Sequence, residues 1–165
     1  MPAGKRIYLD TNVFIVALEG NDAEQRNRLA ELFALAADTA GEQRFFTSQI
    51  TISEVLVSPY RHGQDDLVEH CKRFLFDSPW LSTALIATDI LQSAAIPRAG
   101  RKSLKLPDAI HLTTALEYQC SDFVSADTGI KDIQTTLPGQ RTPSSLTVRR
   151  LDEASLQSLT KSLTP

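Results

Sequence analysis

Residues 6–12 read Arg-Ile-Tyr-Leu-Asp-Thr-Asn, and the way they fold decides the rest of the chain. Ile7, Tyr8 and Leu9 have strand character and run directly into Asp10, Thr11 and Asn12, after which residues 13–18 are an apolar run. A short buried strand that passes at once into a helix is the first β–α step of an α/β sheet. Ligands of such sheets collect outside the carboxyl ends of the strands, so Asp10 stands where chemistry is done. The alternative is local: Asp10 or Thr11 caps the next helix by accepting N–H bonds.

Outward from this stretch, strands and helices alternate. A second helix is expected from about residue 22, with Leu29, Leu32, Phe33 and Ala36 on one stripe and Gly41 as its closing residue. Residues 44–47 predict a strand. A helix from Ser48 buries Ile50, Ile52, Val55 and Leu56, carries Glu54 among them, and ends at Ser58-Pro59. Residues 64–76 predict a helix, 81–87 a third strand, and 90–96 a helix that stops before Pro97. Leu106-Pro107-Asp108 opens a helix to Tyr118, and residues 123–125 form a fourth strand ending on Ala126-Asp127. Residues 134–145 are polar, with Pro138, Gly139 and Pro143, and read as loop; 146–151 add an edge strand and 153–163 a terminal helix. This alternation predicts an α/β/α sandwich with a central, mainly parallel sheet of four to five strands and right-handed crossovers.

The bulk properties agree with one domain. The 165 residues are 42% hydrophobic and 22% charged, enough for a full core. No apolar run is long enough to span a bilayer, and the first six residues lack the apolar region of a signal peptide. Cys71 and Cys120 have neither metal nor redox spacing and read as buried, reduced thiols, so a cytoplasmic location is expected. The net charge of −3 gives no sign of a general nucleic-acid binder, although acids gathered in one site can mask a basic rim.

Asp10 and Asp127 each follow a predicted strand, Asp108 lies in the first turn of a helix, and Glu54 lies among apolar helix positions. A carboxylate on an apolar face is costly unless it is paired or metal-bound. Carboxylates gathered at strand ends repel one another until a cation neutralises them. Hard oxygen donors without His or Cys companions suit Mg²⁺ or Mn²⁺ rather than zinc. Such ions hold a phosphodiester and activate water for in-line attack. Each acid also has a local reading: cap for Asp10, helix-dipole partner for Asp108, Asx-turn for Asp127 in Asp-Thr-Gly, and exposed helical glutamate for Glu54.

Leu-Asp-Thr-Asn (9–12), Ile-Ser-Glu (52–54), Leu-Pro-Asp-Ala-Ile-His-Leu-Thr-Thr-Ala (106–115) and Val-Ser-Ala-Asp (124–127) resemble, in order, the four motifs of the PIN domain. In particular the chain looks like the small VapC-type toxins of bacterial toxin–antitoxin pairs. The resemblance runs from about residue 5 to 133, leaving about 134–165 as a C-terminal extension of a single domain over 1–165. It implies a metal-dependent ribonuclease on a Rossmann-like sheet, using Mg²⁺ or Mn²⁺, homodimeric and silenced by a cognate antitoxin. Carried over, Asp10, Glu54, Asp108 and Asp127 form the catalytic and metal-binding acids, and Thr11, Asn12, Ser53 and Ser125 support them. Ser125 stands where the family commonly has Thr, which keeps the hydroxyl. Asp10 and Asp108 are the direct metal ligands in this reading, Glu54 completes the site or positions the water, and Asp127 serves a second cation or a hydrated first one. Arg98, Arg101, Lys102 and Lys105 are candidate RNA phosphate contacts, or else a solvated loop. His111, three residues after Asp108, is a candidate substrate contact or proton carrier, or else a packed histidine behind the acids.

Three rivals are weighed. Phosphatases that form an aspartyl-phosphate need a second Asp two positions on, where this chain has Asn12. A non-catalytic PIN-like RNA-binding or interaction module would be favoured by a missing acid. A flap-type DNA nuclease carries larger acid sets and extra helices.

Overall fold

The computed structural model describes residues 4–38 and 43–163. In chain order these form β1 (Ile7–Leu9), α1 (Thr11–Glu19), α2 (Ala23–Asp38), β2 (Phe45–Ser48), α3 (Ile50–Val55), α4 (Val57–Arg61) and α5 (Asp65–Phe76). There follow β3 (Leu81–Ala84), α6 (Thr88–Ser93), α7 (Ala95–Gly100), α8 (Leu106–Glu117), β4 (Asp122–Val124), β5 (Ile133–Thr135), β6 (Ser144–Arg149) and α9 (Glu153–Leu163). The expected cap at Gly41 lies outside the described residues.

The strands form one six-stranded sheet in the order β3-β2-β1-β4-β6-β5. Every pairing is parallel except β5 with β6. The chain lays β2 and β3 to one side of β1 and then crosses over to place β4 on the other side. That reversal of direction opens a crevice beyond the carboxyl ends of β1 and β4, the usual place for a ligand. Leu9 is in register with Val124, so the residues just after each strand, Asp10 and Ser125, face one another across it.

Strand alternation sorts the core into two faces. Ile7, Leu9 and Phe45 pack with Phe14, Leu29, Leu75 and Leu159 on one side. Tyr8, Phe46 and Phe123 pack with Ile90, Leu112 and Leu116 on the other. The result is the α/β/α sandwich expected from sequence. Each fully buried Leu, Ile or Phe contributes about 1.5–3 kcal/mol of burial, so both faces are strongly specified. Helix α8 is buried from Ala109 through Leu116, with His111, Thr113 and Thr114 buried beside the apolar residues, so no face of that stretch is left to solvent. Among the described residues no helix is long and apolar enough to cross a membrane.

Several boundaries differ from the sequence expectation. The sheet has six strands rather than four to five, because β5 runs into the start of the stretch read as loop. β6 begins at Ser144 and is not an edge: it bridges β4 and β5. β3 stops at Ala84 rather than 87. Pro59 and Pro97 do not end helices. Each is the third residue of a new one, α4 and α7, where a missing N–H has no carbonyl to serve. The C-terminal extension is integral to the core: Leu151, Leu156, Leu159 and Leu163 pack with α1 and α2 residues.

Candidate active site

Asp10 is 5% exposed and accepts three hydrogen bonds, which leaves one lone pair of Oδ1 free. Its Oδ1 accepts the Thr11 backbone N–H at 2.8 Å, so it does cap α1. Its Oδ2 accepts from Asn12 Nδ2 at 2.8 Å and from Ser125 Oγ at 2.7 Å. Cap and site residue are therefore one and the same side chain. Asn12 ties the two strand ends together, since its Oδ1 also accepts the Ala126 N–H at 2.8 Å. Ser125 Oγ donates to Asp10 and accepts from Asn12 Nδ2 (3.2 Å) and the Asp127 N–H (3.0 Å), which fills its bonding capacity.

Glu54 projects from α3 with its side chain 32% exposed. Its Oε2 accepts a short hydrogen bond from Thr11 Oγ1 and another, 2.8 Å, from His111 Nε2. Burial pushes the Glu54 carboxyl up, but these two bonds outweigh it and hold the group below the usual glutamate range. His111 is 1% exposed. The tautomer that satisfies both ring nitrogens has Nε2–H donating to Glu54 and Nδ1 accepting from Tyr8 Oη at 2.8 Å. Burial, with Asp10 and Cys120 adding to it, pushes the Tyr8 hydroxyl well above its ordinary range, so it stays a donor. Thr51 supports the base of the same cluster, 2.8 Å from Thr47 Oγ1, which in turn donates to the Leu9 carbonyl.

Asp108 stands in the first turn of α8, half-buried, with no hydrogen bond to a described residue. Burial raises its carboxyl above the usual range, and Asp127 and Asp10 raise it further; His111 and Lys105 pull the other way. Asp10, Asp108 and Asp127 thus share one electrostatic field. Asp127 is exposed in an Asx-turn, with Oδ1 accepting the Gly129 N–H at 2.7 Å. A cleft of about 200 Å³ beside it is lined by Arg101, Leu104, Lys105, Asp108, Asp127 and Gly129.

The structure thus gathers Asp10, Thr11, Asn12, Glu54 and Ser125 into one bonded network, with Asp108 and Asp127 at its rim. Ser53 is not part of it: exposed, it donates instead to the Ile50 carbonyl at 2.8 Å, as a short helical side chain does. His111 is not a substrate contact, because it is sealed behind Glu54. Of the candidate cations, Arg101 and Lys105 line the acid cleft, whereas Arg98 lies exposed on α7 and Lys102 on the turn after it. None of the four forms an ion pair with a described residue.

Two contributors escaped the sequence reading. Tyr8 orients His111 from mid-strand, and its spacing looked only like core. Arg150, beyond β6, donates to the carbonyls of Asp127 and Ile130, pinning the loop that carries Asp127. No local signal marks either role.

Among the described residues, no three Asp, Glu, His or Cys side chains close into a metal cage. Mg²⁺ does not require one: it keeps several waters and is held by one or two carboxylates. An all-carboxylate donor set, with Asp108 destabilised by its acidic neighbours, fits a hydrated hard cation of that kind.

The PIN domain family matches residues 7–135. No curated protein matches the chain. A structure described as a toxin–antitoxin complex from Klebsiella pneumoniae is similar at 26% identity and a TM-score of 0.52, covering 74% of this chain and 87% of that one. VapC20 of Mycobacterium tuberculosis, described as a Sarcin-Ricin loop cleaving toxin, is similar in fold, at 14% identity and a TM-score of 0.55, covering 71% and 86%. The family match runs from β1 through β5 and so takes in both strands of the crevice and all four acids: the chain belongs to the PIN domain family.

Proposed function

We propose that this protein is an endoribonuclease dependent on Mg²⁺ or Mn²⁺, the toxin of a toxin–antitoxin pair. The observation that carries the reading is the gathering of Asp10, Asp108 and Asp127 at the switch-point crevice, with Arg101 and Lys105 lining the same cleft as Asp108 and Asp127. The family and the likeness to a toxin–antitoxin complex support it. A cognate antitoxin and a homodimer are the partners this reading names.

Asp10 and Asp108 would hold the cation, with Asp127 toward its hydration or a second ion, and it would supply charge neutralisation and a polarised water. The chain's own residues do the rest. Asn12 and Ser125 lock the Asp10 carboxylate in one orientation. Thr11 and His111 take up Glu54 Oε2, which keeps Glu54 ionised and leaves Oε1 to accept a proton from the attacking water. Arg101 and Lys105 hold phosphate oxygens beside the acids. Water then adds to phosphorus as its proton passes to Glu54, the bond to the leaving oxygen breaks, and that oxygen takes a proton from solvent.

A second reading, a non-catalytic PIN-like interaction module, is favoured by the open spacing of the acids among the described residues. Induced synthesis in a bacterial host separates the two. A toxin halts growth and yields newly cut RNA ends, and Asp108→Asn abolishes both. Growth arrest that Asp108→Asn reproduces in full points to the module.

A further inference from the structure

Next to the acid cleft lies a second one, of about 320 Å³, that the proposed chemistry leaves unused. Ile96, Pro97 and Gly100 of α7 form one wall, and Ile133, Gln134 and Thr135 of β5 the other. Arg101 and Leu104 line both clefts, so they form the ridge between them. We propose that this second cleft is a nucleotide subsite, which seats an unpaired nucleotide flanking the scissile phosphate of an RNA strand while Arg101 holds the intervening phosphate. The proposal rests on the nuclease reading above and names where its substrate runs.

Four features fit this occupant. The cleft has the volume of a small-ligand pocket. Its walls are apolar at Ile96, Pro97, Leu104 and Ile133, as a base face requires, and polar at Gln134 and Thr135, as a base edge requires. β5 pairs only with β6 among the described residues, so its outer edge still offers backbone N–H and C=O groups. RNA is read in this way, through unstacked single-stranded bases bonded at their edges. Arg101 has no ion pair with a described residue, and a guanidinium suits a bridging phosphate. The one acid on the wall, Asp132, has Oδ1 bound to the Val148 N–H at 2.7 Å. A peptide strand could use the same free edge, with an acidic side chain on Arg101, and the peptide competition below separates the two; the apolar walls beside Gln134 and Thr135, and the adjoining acid cleft, favour the nucleotide.

Gly100 supplies the test. A Cβ built there meets nothing within 4 Å and its φ is not positive, so Gly100→Leu grows into open space. Gln134→Glu is a second, isosteric change at an exposed position that adds a charge repelling RNA. Single-stranded RNAs of increasing length around one cleavage site would be cut with Mg²⁺. The wild-type protein should gain about tenfold in kcat/KM when the strand becomes long enough to enter the cleft, the order of one base contact. Both variants should lose that length advantage while melting cooperatively. Length advantages equal to wild type in both variants overturn the subsite. Anisotropy of a fluorescent single-stranded RNA in EDTA reads the cleft apart from cutting. Weaker binding by both variants in a protein that cuts nothing sinks the nuclease reading alone, and equal binding by all three proteins sinks the subsite. A synthetic β-strand peptide that binds wild type and is blocked by Gly100→Leu, with RNA unaffected, assigns the cleft to protein and overturns the proposal.

Discussion

Replacing Tyr8 by Phe removes one oxygen from the centre of the molecule and tests the network behind Glu54. The ring is 0% exposed, stacks on Phe123 at 5.1 Å between centroids, and keeps that packing in the variant. What it loses is the 2.8 Å hydrogen bond to His111 Nδ1. The imidazole cannot escape by switching tautomer, because Nε2 must still donate to Glu54. One buried ring nitrogen is left without a partner in either case, which costs about 1–3 kcal/mol. Phe recovers part of this through the hydroxyl it no longer buries, so a net loss of about 1–2 kcal/mol is expected. For a domain of this size that lowers Tm by about 3–6 °C. Urea unfolding of Tyr8→Phe, His111→Ala and the double variant measures it. The double variant should cost about 1–2 kcal/mol less than the sum of the singles, since each removes the same bond. Strict additivity, or a Tyr8→Phe protein as stable as wild type, would refute the assigned bond.

Three further outcomes follow from the same geometry. Asp108 has a raised carboxyl, so above its folded pKa the ionised form works against the fold. Asp108→Asn should therefore match or exceed wild-type stability at pH 7 by calorimetry; a Tm lowered by more than about 5 °C contradicts it. For Asp122 the sign is opposite. Burial pushes it up, but bonds from Ser121, Arg149 and Lys5 outweigh this and hold it below the ordinary range. Its contribution is complete above the unfolded pKa near 4 and is lost as pH falls through the lower folded value. Asp122→Asn should cost about 1–3 kcal/mol at pH 7 and flatten the acid limb of stability below about pH 4; an unchanged acid limb argues against the pairing. Gln119, just past α8, holds φ at 57°, so Gln119→Gly should stabilise by about 0.5–1 kcal/mol in urea titrations. A loss of stability there removes the strain argument.

What the sequence disclosed about this fold was local in origin. Strand-then-acid at 7–10 and 122–127, the proline-opened helix at 106 and the apolar stripe of α2 all depend on neighbours within a turn or two. The crevice acids were legible for the same reason. β5 was not, because three residues of mixed polarity become a strand only when β6 arrives to pair with them. Pro59 and Pro97 misled because a proline that stops one helix also suits the first turn of the next. Ser53 was assigned by motif position, yet its hydroxyl bonds back to its own helix and never reaches the acids. Tyr8, His111 and Arg150 act through partners far away in the chain, so no window of sequence could pair them.

The most direct test of the central claim is RNA cleavage by the purified protein in Mg²⁺, Mn²⁺ and EDTA, beside Asp108→Asn purified identically. Cutting should require the metal, stop in EDTA, and fall by about two or more orders of magnitude in a variant at least as stable as wild type, the scale lost when charge stabilisation at a reacting centre is removed. Equal cutting by both proteins, or cutting that persists in EDTA, would contradict it.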